Sequence, residues 1–210
     1  MSGLMARKVG MTRIFRDDGK VLPVTVLEAR PCPVVQVKTL ETDGYEAIQI
    51  GYRQQRKSRL TRPEIGHLDK AGAPPVACLK EVPVPADRQV APGEFIDLSI
   101  FLPGERVDVT GLTKGKGFQG CVKRHGFAGG DNAHGCKSKR VPGSIGQHTT
   151  PGEVRKNRRM PGRTGGEKTT VKNLEVVRVD LENNLLLLKG AVPGSRNTSL
   201  LVSKKRGGGR

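Results

Sequence analysis

The sequence predicts a mainly β protein, a folded body carrying a long basic extension, and three observations lead there. Short segments alternate apolar and polar residues with period two. Turn-forming residues separate them. One stretch, residues 114–163, concentrates charge without the apolar residues of a core: it holds twelve Lys and Arg, two acidic residues and eleven glycines, hence +10 of the chain's net +17.

The alternation is read first. Val35 and Val37 flank Gln36, Ile48 and Ile50 flank Gln49, and Ile96, Leu98 and Ile100 enclose Asp97 and Ser99. Val107 and Val109 enclose Asp108, and Val177, Val179 and Leu181 enclose Arg178 and Asp180. Each segment has one apolar and one polar face, as a strand of a half-buried antiparallel sheet requires. Asp17-Asp18-Gly19 reads as a hairpin turn between Met11–Phe15 and Val21–Leu27, because glycine accepts positive φ. Glu182-Asn183-Asn184 reads as a turn between the Val171–Leu181 and Leu185–Lys189 strands.

Many short strands with turns between them suggest a barrel or a sandwich. Helix signals are few: Pro63 to Lys70, with Thr61 as cap, and a second segment from near Gly117 through Val122 to Arg124. Gly72 to Pro92, with Pro74, Pro75, Pro83 and Pro85, reads as a loop-rich insertion. The expected division is a body of residues 1–113 and 164–210, with a small loop-rich and α insertion at about 61–93. Residues 114–163 form the extension, which leaves the body between strands and returns to it.

Composition narrows the partners. Large apolar residues in the extension are scattered, so it cannot offset its own chain entropy and should stay disordered until a partner orders it. Clustered cations of this density call for a polyanion, and a nucleic-acid backbone is the usual one in a cell. No apolar run approaches the ~20 residues that span a bilayer, and the first fifteen residues lack a signal-peptide centre, so a cytosolic location and no membrane partner are expected. Cys32, Cys78, Cys121 and Cys136 show no pairing pattern and are expected as free thiols.

Three motifs invite sharper readings. Gly115-x-Gly117-x-x-Gly120-x-Val122 matches a kinase phosphate loop, but no His-Arg-Asp or Asp-Phe-Gly accompanies it and no parallel βαβ pattern surrounds it. With Lys114 and Lys116 it remains a cradle suited to an RNA phosphate. Cys121, His125, His134 and Cys136 are potential zinc ligands at an atypical spacing, and no metal is expected; buried Cys and RNA-contacting histidines are the plainer reading. No nucleophile with a partnered base is visible, so neither enzymatic activity nor a cofactor is expected. Arg155, Lys156, Arg158 and Arg159 sit among Pro142, Pro151 and Pro161, which break any helix or strand of which these charges would be the solvated face.

Phe101 to Arg124 reads FLPGERVDVTGLTKGKGFQGCVKR, with Phe101, Asp108, Gly111, Thr113, Gly115, Lys116, Gly117, Gly120 and Arg124 at fixed spacing. This resembles the signature of the large-subunit ribosomal protein L-three family in its bacterial form. Gly3-Leu4, Lys8 to Phe15, Pro23 to Val26, Arg140 to Gly146 and Asn184 to Gly194 are similar to family passages as well. The resemblance runs nearly end to end. It implies a β-barrel body and a basic loop that penetrates 23S rRNA towards the peptidyl transferase centre, bound directly and early in assembly. It also implies L-fourteen and L-nineteen as neighbours.

The loop residues expected on rRNA are Lys114, Lys116, Lys123, Arg124, His134, Lys137, Lys139, Arg140, Arg155, Lys156, Arg158, Arg159 and Arg163. Gln147 stands where some relatives carry a side-chain N5-methyl group, which implies a glutamine methyltransferase as partner; an unmodified glutamine bonded to a phosphate or base is the alternative. Two places depart from the family: Lys156-Asn157-Arg158-Arg159-Met160-Pro161-Gly162 replaces Lys-Gly-Lys-Lys-Met-Ala-Gly of several relatives, and His125 stands where some carry Trp. An architectural RNA- or DNA-binding protein outside the ribosome is the competing class, although no Lys/Arg helix for a major groove and no minor-groove wedge is apparent.

Overall fold

The computed structural model describes residues 3–16, 18–84 and 90–204. The chain divides into two compact units, one drawn from residues 1–112 and 168–210, the other from Thr113–Glu167. In chain order the first part runs β1 (Gly3–Phe15), β2 (Val21–Glu28), β3 (Cys32–Lys38), α1 (Leu40–Asp43), β4 (Ala47–Gln54), α2 (Arg62–Lys70), β5 (Val76–Val82), β6 (Phe95–Ile96) and β7 (Arg106–Leu112). The second unit holds β8 (Phe118–Gln119), α3 (Cys121–His125) and β9 (Gly162–Arg163). The body resumes with β10 (Lys168–Asp180), β11 (Leu185–Lys189) and β12 (Ser199–Lys204).

Six antiparallel strands close a barrel in the order β1-β12-β7-β10-β11-β2. The fold is mainly β, and of barrel and sandwich it takes the barrel. Closure leaves no free edge among these strands. Inward residues follow the pleat: Leu4, Leu27, Val107, Val109, Leu186, Leu188, Leu200 and Val202 are fully buried. A second sheet, β5-β4-β3-β6, adds Val34, Ile48, Ile50 and Val82 to the same core.

Gly111 shows why the barrel tolerates one residue type at one place. It continues the inward series Val107, Val109, and a Cβ there would lie 2.3 Å from Leu200 Cδ2. Lys8 is a second special inward position. It is 7% exposed, and its Nζ donates to the carbonyls of Val192 (3.0 Å) and Gly194 (3.2 Å). The Lys8 N–H donates to Thr198 O, and Asn197 N–H donates to Lys8 O. Two passages nearly the chain's length apart thus meet around one ammonium.

Most expected elements are present, with five differences of detail. Ile96–Ile100 is not one strand: β6 ends at Ile96, and Leu98–Ile100 forms a 3₁₀ turn capped by the Asp97 carboxylate. In β10 a register shift between Val176 and Arg178 places Val176 inward at 1% exposure, whereas Leu181 is 59% exposed beyond the strand. The stretch from Gly72 is less loop-like than its prolines suggest, because Val76–Val82 pairs with β4 as β5; Pro85 lies outside the described residues. The helix expected from Gly117 starts at Cys121, after a short strand. In β3 both Val34 and Val35 are buried, one towards each core cluster, around a shift between Val34 and Gln36.

The turns match. Gly19 takes φ +76° between β1 and β2, with Arg16 and Lys20 backbones bonded across it; Asp17 lies outside the described residues. Asn184 takes φ +55° before β11, and the Asp180 carboxylate accepts from Asn183 N–H. Thr61 begins α2, where its N–H and hydroxyl both donate to the Glu64 carboxylate.

Candidate nucleic-acid interface

The second unit begins with a backbone ladder. Thr113 N–H donates to Glu167 O, Gly166 N–H to Thr113 O, Lys116 N–H to Thr164 O and Thr164 N–H to Gly117 O. β8 and β9 extend it, pairing Phe118 with Arg163 and Gln119 with Gly162. Two stretches separated by more than forty residues of sequence are therefore zipped together. Glycine is required for the fit: a Cβ on Gly165, at φ +74°, would sit 2.1 Å from the Lys114 carbonyl oxygen.

α3 sets the next contact. Gly120 caps its start and Gly126 closes it in the left-handed region. From its last turn the Arg124 guanidinium donates to Met160 O at 2.8 Å, and the His125 ring nitrogen Nε2 lies 3.0 Å from the same oxygen. A Cβ on Gly162 would meet that guanidinium at 2.5 Å. Arg124 thus pins the neck, a role sequence reading did not find. The pairing of Arg124 with Gly162 across the intervening segment was the only available signal, and it is a spatial one.

Beyond the neck, residues 126–161 contain turns and irregular backbone with no further helix or strand. Gly130 N–H donates to Lys139 O, and a Cβ on Gly129 would lie 2.2 Å from that oxygen, so this fold-back depends on glycine. Gln147 is exposed, in a concave stretch lined by Gly143, Ser144, Ile145, Gly152 and Val154. The Arg158 guanidinium donates to Ser144 O across that stretch.

Electrostatically the unit is one-sided. All twelve arginines and lysines of residues 114–163 are exposed, as is His134. Among the described residues none of them is ion-paired with a carboxylate, whereas body cations such as Arg7, Arg16 and Lys189 have acidic partners. Phe118, Val141, Ile145 and Val154 are exposed too. Unpaired cations interleaved with uncovered apolar groups can meet a phosphate backbone and the faces of unstacked bases.

The structure also places the alternative chemistries. The glycine-rich segment is part of the neck, with the Lys116 amide engaged by Thr164, so the loop presents fewer free amides than a phosphate cradle uses. Cys121 is buried at 2% exposure, Cys136 is half-buried, and both are free thiols. Among the described residues no three His, Cys, Asp or Glu side chains converge as a metal set. No described helix is long and apolar enough to cross a membrane.

Comparison with known proteins converges on one family. The model of the family described as ribosomal protein L3 matches residues 94–184, which span the barrel strands β7 and β10 and the whole second unit. The large ribosomal subunit protein uL3 of Synechococcus elongatus is 51% identical over 201 residues, covering 96% of this chain and 94% of that protein. Its counterpart in Fervidobacterium nodosum is 49% identical over 202 residues, with 96% and 97% covered. That of Thermosipho africanus is 48% identical over 208 residues, covering 99% of this chain and all of the relative, 100%. With half its residues identical over nearly its full length, the chain belongs to the ribosomal protein L3 family.

Proposed function

We propose that this chain is a structural constituent of the large ribosomal subunit in the cytoplasm, binding 23S rRNA directly through residues 114–163. The twelve exposed cations, without acidic partners among the described residues, carry this reading. Lys114, Lys116, Lys123, Lys137, Lys139, Arg140, Arg155, Lys156, Arg158, Arg159 and Arg163, together with His134, contact phosphates and bases. Arg124 serves mainly to hold the neck, given its bond to Met160 O. The loop reaches towards the peptidyl transferase centre and the protein joins early in assembly, beside L-fourteen and L-nineteen. Catalysis there belongs to the RNA, whose motion the loop restricts.

Salt dependence tests the reading. If about eight cations meet phosphates, affinity for 23S rRNA falls roughly 10³–10⁵-fold between about 50 and 200 mM salt. Arg158→Ala with Arg159→Ala weakens binding and flattens the slope while the body's melting temperature stays in place. A salt-independent affinity, or failure to co-sediment with large subunits at moderate salt, contradicts the proposal.

Gln147 is the proposed site of N5-methylation by a glutamine methyltransferase. Its exposure leaves the amide open to an enzyme, and a methyl group removes one N–H donor while keeping the carbonyl acceptor. Mass spectrometry of the Gln147 peptide from native protein should show one added CH₂; its absence sinks the assignment.

A further inference from the structure

The body carries a cavity of about 590 Å³, within the ~300–1,000 Å³ range of ligand sites. It lies between the barrel strands β1, β2 and β12 and the second sheet, and its lining includes Arg7, Glu28, Arg30, Tyr52, Arg53 and Phe95. The nucleic-acid reading above assigns nothing to it.

Three features make it a built site. The Glu28 carboxylate is held between two guanidiniums, accepting from Arg7 Nε at 3.0 Å and Nη2, and from Arg30 Nε at 2.6 Å. Those two arginines have five N–H donors each, so several remain for a ligand. Arg53 adds a third guanidinium, and its backbone takes φ +63°, rare for a side chain of this kind, which stations it at this rim. Three cations around one carboxylate leave a net charge of about +2.

Tyr52 points the same way. It is 7% exposed and lines the cavity, where its hydroxyl can donate to a ligand. Burial, with the nearby Glu28 carboxylate, pushes that hydroxyl up to about 12, so it stays an O–H donor. Burial raises Glu28, but hydrogen bonds and charge from Arg7 and Arg30 outweigh it and hold the carboxyl below its ordinary value. Phe95, 53% exposed, offers an uncovered ring at the edge.

Resting on the proposed RNA function, we infer that this cavity takes one unstacked nucleotide of a bound RNA strand, its phosphate held by Arg7, Arg30 and Arg53 and its base or ribose meeting Tyr52 and Phe95. Guanidinium forks match phosphate oxygens, and splayed bases stack on aromatic faces.

The chain's two tyrosines make the test direct. Full-length protein labelled with ¹³C-tyrosine gives two ring signals, assigned by Tyr45→Phe. The probes are a short single-stranded oligouridylate, uridine monophosphate and a polyglutamate peptide, at moderate salt. The expected result is a saturable shift of the Tyr52 signal with oligouridylate alone. Arg30→Gln combined with Arg53→Asn, asparagine being tolerant of the left-handed backbone, should weaken it about tenfold or more. Unchanged body methyl signals show that this variant folds.

An equal response to uridine monophosphate overturns the strand reading in favour of a free nucleotide site. A polyglutamate response overturns it in favour of an acidic-peptide site, and an unmoved Tyr52 signal at saturating RNA overturns it outright. Arg158→Ala with Arg159→Ala separates the two proposals. If 23S rRNA binding proves independent of those arginines and of salt while Tyr52 still titrates, the arm reading fails and the cavity stands.

Discussion

Two glycines show how differently single residues bear on packing. At Gly111 the space for a side chain is already filled by Leu200, whose own side chain is fully buried. Gly111→Ala should therefore cost about 1–3 kcal/mol, the usual penalty of overpacking. Gly66 is the counterpart: it lies inside α2, exposed, with nothing within 4 Å of a Cβ. Gly66→Ala should add about 0.5–1 kcal/mol, and chemical denaturation of the two variants side by side reads both signs. Thiols divide in the same spirit. Cys32 is fully buried and burial pushes its thiol up to about 12, while Cys121 is 2% exposed. Cys78 and Cys136 are half-buried. A thiol reagent under native conditions should modify Cys78 and Cys136 quickly and reach Cys32 only as fast as the protein opens. Rapid labelling of Cys32 would mean that the second sheet opens at β3.

At the scale of elements, what was legible followed periodicity and what was missed followed register. Ile48 and Ile50, or Val107 and Val109, alternate cleanly because their strands run without a shift. The alternation of Val177, Val179 and Leu181 passed over Val176 because a bulge changes the phase in mid-strand, and a period-two rule carries no knowledge of a bulge. β5 was missed because prolines flank it, although none falls between Val76 and Val82. In the charged unit the cations were legible by composition, but the neck was not. Its bonds join residues 113–119 to 162–167, and nothing local announces that pairing. The neck makes a prediction of its own. Residues 137–159 lie outside it and carry seven exposed Lys and Arg without regular structure, so trypsin should cut there first in free protein. Cleavage that starts in the barrel strands instead would contradict this, and bound rRNA should suppress the cuts.

For the whole molecule, the two units divide the labour between packing and charge. Fully buried leucines, valines and isoleucines belong to the body, whereas the second unit has Cys121 as its buried apolar residue among those described. The net +10 of residues 114–163 adds self-repulsion there with little apolar burial to offset it. Such a unit gains its order from a partner of opposite charge, which is why the RNA affinity should depend so steeply on salt.

Leu112 pairs with Lys168 in the β7–β10 ladder, so the chain departs from the barrel and resumes it at facing residues. Thr113 to Glu167 is, for the barrel, a hairpin loop of extravagant length. Closing a flexible loop of about 55 residues rather than about 4 costs only ~2 kcal/mol, because the entropy grows with the logarithm of length. Such a loop is free to lengthen or change sequence with little consequence for barrel closure. Replacing it by a short Asn-Gly turn should give a soluble barrel that melts at or above the temperature of the full chain, by calorimetry, with its affinity for 23S rRNA greatly reduced. A shortened chain that fails to fold would show that the barrel depends on its loop.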